Sequence, residues 1–299
     1  MKLAPITLFA YKRLWHTRAT VEALQKNVLA MECELIVFSD GPRTNADKAD
    51  VLSVREYLKT VTGFKNVSVT ERGKNLGLAQ SIIAGVSEVV NQYGRIIVLE
   101  DDLLSSPFFL KFMNEGLEYY KDEDKVISIN GYLFPVIARL PETFFLKGAD
   151  CWGWATWKRG WDLFEPDGEK LLGDMRKRHL KKEFDFNGAY PYTKMLEDQT
   201  RGKNNSWAIR WYASAFLNDK LTLYPGRSLT KNIGTDASGT HCVKTDLYES
   251  QISLNPIEIT DIPIEENRSA REEFGRFMKE VQPGLGVRVK SMATNFFKA

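Results

Sequence analysis

Cysteine is scarce in this chain. Cys33, Cys151 and Cys242 are the only three in 299 residues, far apart and odd in number. They make neither a C-x-x-C pair nor a disulfide framework, which excludes a disulfide-stapled scaffold and fits a reducing cytosol. Long apolar runs are missing as well. The run at residues 3–10 stops at Tyr11-Lys12-Arg13. It is too short for a membrane span, no small-residue cleavage site follows it, and it reads as a first β-strand. Nor is there an excess of one charge: 41 Lys and Arg against 39 Asp and Glu leave +2, so no bulk field draws the protein to nucleic acid. Two phosphate-binding signatures are absent too. No G-x-G-x-x-G follows the first strand and no G-x-x-x-x-G-K-[ST] occurs, which disfavours dinucleotide cofactors and P-loop chemistry but leaves a metal-bound nucleoside diphosphate open.

What is present is a core-forming α/β pattern. Hydrophobic residues make up 43% of the chain, and its length suggests one large domain or two intimately packed ones. Strands are predicted at 6–11, 34–39, 66–71, 95–100 and 125–129. Helices are predicted at 17–31 with Thr17 as cap, at 46–60 capped by Asn45, at 76–92, and at 107–120 with Ser106 as cap and Pro107 first. Such alternation implies βαβ crossovers and a mostly parallel sheet with helices on both faces, whose ligands bind beyond the carboxyl ends of the strands. Arg13, Asp40 and Asp102 each come just after a strand, so one rim would gather a base and acids. We divide the chain into an α/β half (1–130), a second half packed on the same sheet (131–250), and a C-terminal extension (251–299).

The most telling stretch is Arg95-Ile96-Ile97-Val98-Leu99-Glu100-Asp101-Asp102. A strand suited to burial ends abruptly in three carboxylates, which repel one another and lose hydration. A hard divalent cation, Mn²⁺ or Mg²⁺, would compensate while leaving coordination positions for phosphate oxygens. The alternative is that the acids favour the dipole of the next helix, but that helix carries its own start signal at Ser106-Pro107.

Beyond residue 131 the character changes. Cys151-Trp152-Gly153-Trp154-Ala155-Thr156-Trp157 is followed by Trp161, Tyr190, Tyr192, Trp207, Trp211 and Tyr212. Such rings can stack on sugar faces or simply fill a helical core. Trp154, beside a glycine, is the better surface candidate, and it joins Trp207 as a candidate acceptor contact. Residues 221–241 read as strand, Pro225-Gly226 turn, strand, and a polar loop with glycines. His241 in that loop is either a metal ligand or a satisfied hydrogen-bonding group. At the C-terminus Val289, Met292, Ala293, Phe296 and Phe297 form one face of a basic amphipathic helix, which either docks on the domain or lies on anionic lipid.

With these residues in view, the chain resembles the nucleotide-diphospho-sugar transferases of the GT-A fold. It is similar to bacterial family 2-like glycosyltransferases and, more distantly, to the protein-linked N-acetylglucosaminyltransferase I group, over most of residues 5–245. The resemblance implies a Rossmann-like, mostly parallel sheet with a smaller mixed acceptor-side part. It implies that Glu100-Asp101-Asp102 is the acidic motif whose last carboxylate binds Mn²⁺, that Arg13 meets the donor diphosphate, and that Asp40 accepts the uracil imide N–H. It also implies that Asn75-Leu76-Gly77 helps wall the donor pocket. One departure stands out. Aligned without gaps from Trp207 to Pro225, Ala208 occupies the position of the catalytic aspartate of the eukaryotic inverting enzymes. That role is not carried over; Asp198 and Asp150 are substitute candidates, and a retaining mechanism stays open.

The expectation is therefore a metal-dependent glycosyltransferase of bacterial surface polysaccharide synthesis. It would be cytoplasmic, touching the inner face of the membrane through its C-terminal helix, and would move sugar from a UDP-sugar to a saccharide or lipid-linked acceptor. Two rivals remain. A sugar-nucleotide nucleotidyltransferase would want a glycine-rich basic loop where Lys12-Arg13-Leu14-Trp15 stands. A non-catalytic carbohydrate-binding protein would leave the acidic triplet without a purpose.

Overall fold

A computed structural model describes residues 2–236 and 245–281. Strand and helix alternate through the first third: β1 (Ile6–Ala10), α1 (Leu14–Gln25), β2 (Glu34–Ser39), α2 (Lys48–Lys59), β3 (Asn66–Glu71), α3 (Leu78–Tyr93) and β4 (Arg95–Glu100). Next come β5 (Leu103–Ser105), α4 (Phe109–Tyr119), β6 (Val126–Asn130), β7 (Thr143–Lys147), β8 (Trp154–Trp157) and α5 (Lys158–Trp161). The described chain continues through α6 (Gly168–Lys177), α7 (Lys181–Phe184), α8 (Tyr192–Thr200), α9 (Trp207–Leu217), β9 (Leu221–Pro225), β10 (Thr230–Asn232) and α10 (Arg268–Val281).

Eight strands form one sheet in the order β3-β2-β1-β4-β8-β6-β9-β7. The first four are mutually parallel. β8 runs against both its neighbours, so β6 resumes the direction of β4; β9 follows it, and β7 is reversed at the edge. Handedness then assigns the helices. The steps from β1 to β2 and on to β3 move one way along the sheet, while the step from β3 to β4 returns past β1. Right-handed crossovers therefore put α1 and α2 on one face and α3 on the other. This is the expected α/β, mostly parallel arrangement covered on both faces. A second small sheet, β5 antiparallel to β10, ties the segment after β9 to the segment after β4.

Several boundaries move for physical reasons. α1 begins at Leu14, three residues before the expected start, with Arg13 in the cap position. Thr17 is buried inside the helix, where its hydroxyl donates to Asp101 (3.3 Å). The helix entering α2 is capped by Thr44 rather than Asn45: the Thr44 N–H and hydroxyl both donate to Asp47 Oδ2, at 2.9 and 2.8 Å. α4 starts at Phe109, although Ser106 still accepts from the Phe108 N–H (3.2 Å).

The aromatic stretch holds the largest surprise. Residues 154–157 are not part of a helical subdomain but a central strand, β8, between β4 and β6. A strand buried on both faces shows no alternation to betray it. Trp154 is fully buried and packs with Trp161, Trp207 and Trp211 at centroid distances of 5.8, 5.6 and 5.7 Å. The expectation that Trp154 is a surface ring is thus corrected. Gly153 beside it, at φ +79°, leaves no room for a ligand, since a Cβ there would lie 2.7 Å from the Thr230 methyl. Trp207 is 1% exposed, so neither indole face is open to an acceptor sugar.

Candidate active site

Parallel register brings three strand ends level: Ala10 opposite Ser39, and Phe9 opposite Glu100. The residues that follow β1, β2 and β4 therefore share one rim, where a mostly parallel sheet ordinarily binds its ligands.

Arg13 is the hub of that rim. Its Nη2 donates to Asp101 Oδ1 (2.8 Å) and to Asp102 Oδ2 (2.7 Å). Its Nη1 is buried and meets no acceptor among the described residues. Burial works against the guanidinium's charge, but Asp101 and Asp102 outweigh it and raise its pKa further. Asp101 is held from several sides. Its Oδ2 also accepts from the Tyr11 N–H and the Thr17 hydroxyl, both at 3.3 Å, and its carbonyl accepts from the Thr20 hydroxyl (2.9 Å).

Asp102 and Glu100 carry the strain of crowding. Burial raises the Asp102 carboxyl, against the pull of Arg13. The Glu100 carboxyl is pushed up to about 8, by burial first and then by Asp102 and Asp101. A second cation would relieve this repulsion by favouring the ionised forms. Among the described residues no three His, Cys, Asp or Glu side chains converge into a metal cage. The donor set at Asp102 fits a hard ion taking one or two protein carboxylates and completing its shell with phosphate and water. His241 lies outside the described residues.

The segment after β10 folds across Asp102. The Ile233 N–H donates to the Asp102 carbonyl (2.8 Å). Gly234 lies so near that a Cβ there would be 2.1 Å from Asp102 Oδ2. Farther on, Asp236 Oδ2 is 3.1 Å from Nε2 of the buried His16 in α1. In the sequence Gly234 is one residue of the polar loop after Pro225-Gly226, and His16 carries no signal of its own. Nothing in a linear pattern links residues 16, 102 and 234.

Asp40 turns out to be an anchor. Its carboxylate accepts from the N–H groups of Gly41 (3.0 Å), Leu76 (2.9 Å) and Gly77 (3.0 Å). Asn75 Nδ2 donates to the Gly41 carbonyl (2.9 Å). Gly77 itself sits at φ +75°, a backbone angle that L side chains avoid. The loops after β2 and β3 are thereby locked together beside the rim, with further ties from Arg55 Nη2 to the carbonyls of Asp40 (3.3 Å) and Arg72 (2.7 Å).

The two substitute bases differ sharply. Asp198, in α8, is paired with Lys194 and, at 3.4 Å, with Lys203. Burial raises its carboxyl, but the two ammonium groups override that and lower it. Asp150, in the segment between β7 and β8, is buried and has no cation partner among the described residues. Its carboxyl is pushed up to about 6 by burial, despite accepting from the Cys151 N–H. Ala208 is buried in α9.

The sheet order, the single reversed strand between β4 and β6, and the acidic triplet closing β4 agree. The chain has a Rossmann-like α/β fold built on a mostly parallel eight-stranded sheet. No family model matches the sequence, and no curated protein matches it. Similar solved structures include the mannosyltransferase PcManGT from Pyrobaculum calidifontis in complex with GDP-Man and Mn²⁺, at 11% identity and TM-score 0.33, covering 43% of this chain and 35% of that one. They include S. aureus TarS, at 11% identity and TM-score 0.40, covering 78% of this chain and 37% of that one. A UDP-glucose pyrophosphorylase complexed with UDP-glucose matches at 13% identity and TM-score 0.32, over 56% of this chain and 82% of that one. The chain thus spans little more than a third of the mannosyltransferase and of TarS. Likeness at this level carries no weight for activity, and the functional reading rests on the residues of the rim.

Proposed function

We propose that this chain is a metal-dependent glycosyltransferase that moves a sugar from a uridine diphosphate donor to a hydroxyl of a saccharide or lipid-linked acceptor. The observation that carries the reading is Arg13. Its guanidinium is tethered through Nη2 to Asp101 and Asp102, while its buried Nη1 meets no acceptor among the described residues. An unsatisfied buried donor is costly, and a diphosphate oxygen would satisfy it. Arg13 is pre-aimed by Asp101, so little side-chain freedom is lost when phosphate arrives, and its planar fork suits phosphate geometry.

As the bond between the anomeric carbon and the diphosphate stretches, negative charge grows on the leaving group. Arg13 stabilises that charge more in the transition state than in the ground state. Mn²⁺ or Mg²⁺ bound at Asp102 would add Lewis-acid stabilisation of the same oxygens. Asp40 shapes the uridine side by holding the 75–77 loop, its two oxygens engaged by the N–H groups of Gly41, Leu76 and Gly77. His241 is a further candidate ligand for the ion.

Calorimetry of UDP with Mn²⁺, followed by UDP release from a panel of UDP-sugars, tests the reading. Binding should need the metal and disappear in Asp102→Asn. Activity unaffected by that variant and by chelator would sink the metal role, and pyrophosphate release from UTP plus a sugar phosphate would convert the reading to a nucleotidyltransferase. We further propose a cytoplasmic site of action in bacterial surface polysaccharide synthesis, with the segment beyond residue 287 touching anionic membrane. That segment lies outside the described residues. Among the described residues no helix is long and apolar enough to cross a membrane. Deleting residues 287–299 should lower association with anionic liposomes.

A further inference from the structure

Inverting transfer needs a base for the acceptor hydroxyl, and Ala208, at the position where the eukaryotic inverting enzymes that the chain resembles carry an aspartate, has no acid function. Asp198 is held between Lys194 and Lys203. Stabilised as an anion, it has little tendency to take a proton. The segment 148–153, between β7 and β8, presents a different carboxylate. That segment is fastened to the rim at its far end: the Thr230 hydroxyl donates to the Trp152 carbonyl (2.8 Å) and the Gly131 N–H donates to the Gly153 carbonyl (2.7 Å). Within it, Cys151 is close enough to Asp150, Glu100 and Asp102 for all three to raise its thiol, after burial as the main cause. Asp150 belongs to the same neighbourhood as the acidic triplet: it lies four residues before Trp154, where β8 pairs antiparallel with Val98 of β4, so the segment runs on past the end of β4 where the triplet stands.

The two oxygens of Asp150 are unequally engaged. Oδ1 accepts from the Cys151 N–H at 2.8 Å, whereas the Tyr224 hydroxyl lies 3.5 Å from Oδ2. A buried carboxylate ordinarily has its charge paired and its lone pairs satisfied. Oδ1 closes the turn at Cys151, whereas Oδ2 accepts from the Tyr224 hydroxyl at the long end of the hydrogen-bond range and keeps acceptor capacity for a further donor. Among the described residues the titratable groups around it are Cys151 and the tyrosines Tyr132, Tyr192 and Tyr224, all raised chiefly by burial and hence neutral near pH 7. None supplies a positive charge that would hold the proton off. Burial also brings the Asp150 carboxyl close to the pH at which a general base works best.

We infer that Asp150 is the general base of the reaction, accepting the acceptor's hydroxyl proton at Oδ2 with Tyr224 positioning it, so that transfer inverts the anomeric configuration. The inference rests on the glycosyltransferase reading above. In the step, the acceptor oxygen's lone pair forms the new bond to the anomeric carbon as its proton passes to Asp150. The bond from that carbon to the diphosphate oxygen breaks, and its electron pair leaves with UDP. Charge balances: the carboxylate becomes a neutral acid and the diphosphate gains the negative charge.

Water can stand in for the acceptor, which makes the test independent of the natural one. Wild type and Asp150→Asn, full chain with Mn²⁺, are compared for hydrolysis of a panel of UDP-sugars, with the first-formed sugar anomer read by NMR before mutarotation. UDP affinity and thermal midpoint serve as fold controls. The expected result is an inverted product from wild type and a fall in kcat of about 10²–10⁴-fold in Asp150→Asn, with Mn²⁺–UDP affinity and midpoint unchanged. Tyr224→Phe should lower kcat by a smaller factor while leaving the same affinity. A product that keeps the donor's configuration overturns the inference, as does an Asp150→Asn variant within about threefold of wild type. Failure of wild type to bind UDP with Mn²⁺ would instead overturn the glycosyltransferase reading, so the two failures are told apart.

Discussion

Arg13 keeps a balance with the carboxylates after β4, and that balance fixes what single substitutions should do. Arg13→Ala removes the charge that Asp101 and Asp102 face at 2.8 and 2.7 Å. Leaving partly buried carboxylates uncompensated costs about 3–5 kcal/mol, so a marked fall in thermal midpoint is expected. Arg13→Lys keeps the charge but loses the fork. It should retain most of the stability and weaken Mn²⁺–UDP binding about tenfold or more, read by calorimetry. Glu100 makes a pH prediction. Its folded carboxyl titrates near 8, far above an unfolded glutamate. The unfolded chain therefore loses its proton first, so this group's contribution is fully present below about pH 4.5 and is lost as pH rises toward 8. Asp102 acts in the same direction. The midpoint of the metal-free protein should drop between pH 5 and 8, less so in Glu100→Gln, and saturating Mn²⁺ should flatten the trend. A midpoint that rises over that interval in wild type would contradict it.

At the scale of elements, two loops depend on close approach. Gly234 leaves space for nothing larger against Asp102 Oδ2. Gly234→Ala should displace either the 232–236 segment or the carboxylate, lowering metal-dependent UDP affinity while the far-ultraviolet circular dichroism stays native. The loops after β2 and β3 depend on Asp40. Asp40→Ala leaves the N–H groups of Leu76 and Gly77 without their acceptor, a cost of about 1–3 kcal/mol. Amide exchange at residues 76 and 77 should speed up more than the global midpoint falls. Legibility in sequence follows the same division. β2, β3 and β4 were readable to the residue because local apolar runs and their polar stops define them. The start of α1 was not, because Arg13 and Thr17 are placed by Asp101, a residue 84 positions beyond Thr17. Nor was β8, whose residues read as an aromatic cluster until β4 and β6 flank them.

For the whole molecule, the sheet is one continuous body in which β8 from the second half lies against β4 from the first. A fragment ending at residue 130 would expose the buried edge of β4 and the apolar residues packed on it. Such an edge pairs with other chains, so the fragment is expected to aggregate or elute as oligomers in gel filtration, whereas residues 1–281 should remain monodisperse. Trp154 is the keystone of the join. It touches Trp161, Trp207 and Trp211 from within the sheet, and Trp154→Ala should cost about 3–5 kcal/mol, seen as a shift in chemical denaturation midpoint.

The order of residues alone determined the α/β class, the parallel first half and the placement of Arg13, Asp40 and Asp102 at strand ends. Those features follow from hydrophobic period and from where apolar runs stop, both local properties of the chain. Only the tertiary structure decided which acids meet which bases. It drew Asp40 into backbone anchoring, buried Trp154 and Trp207 in the core, locked Asp198 between lysines, and set Asp150 among tyrosines with no cation partner from the described residues. The reason is desolvation: a charge or a ring takes its character from what surrounds it after collapse, and those surroundings come from residues tens to hundreds of positions away.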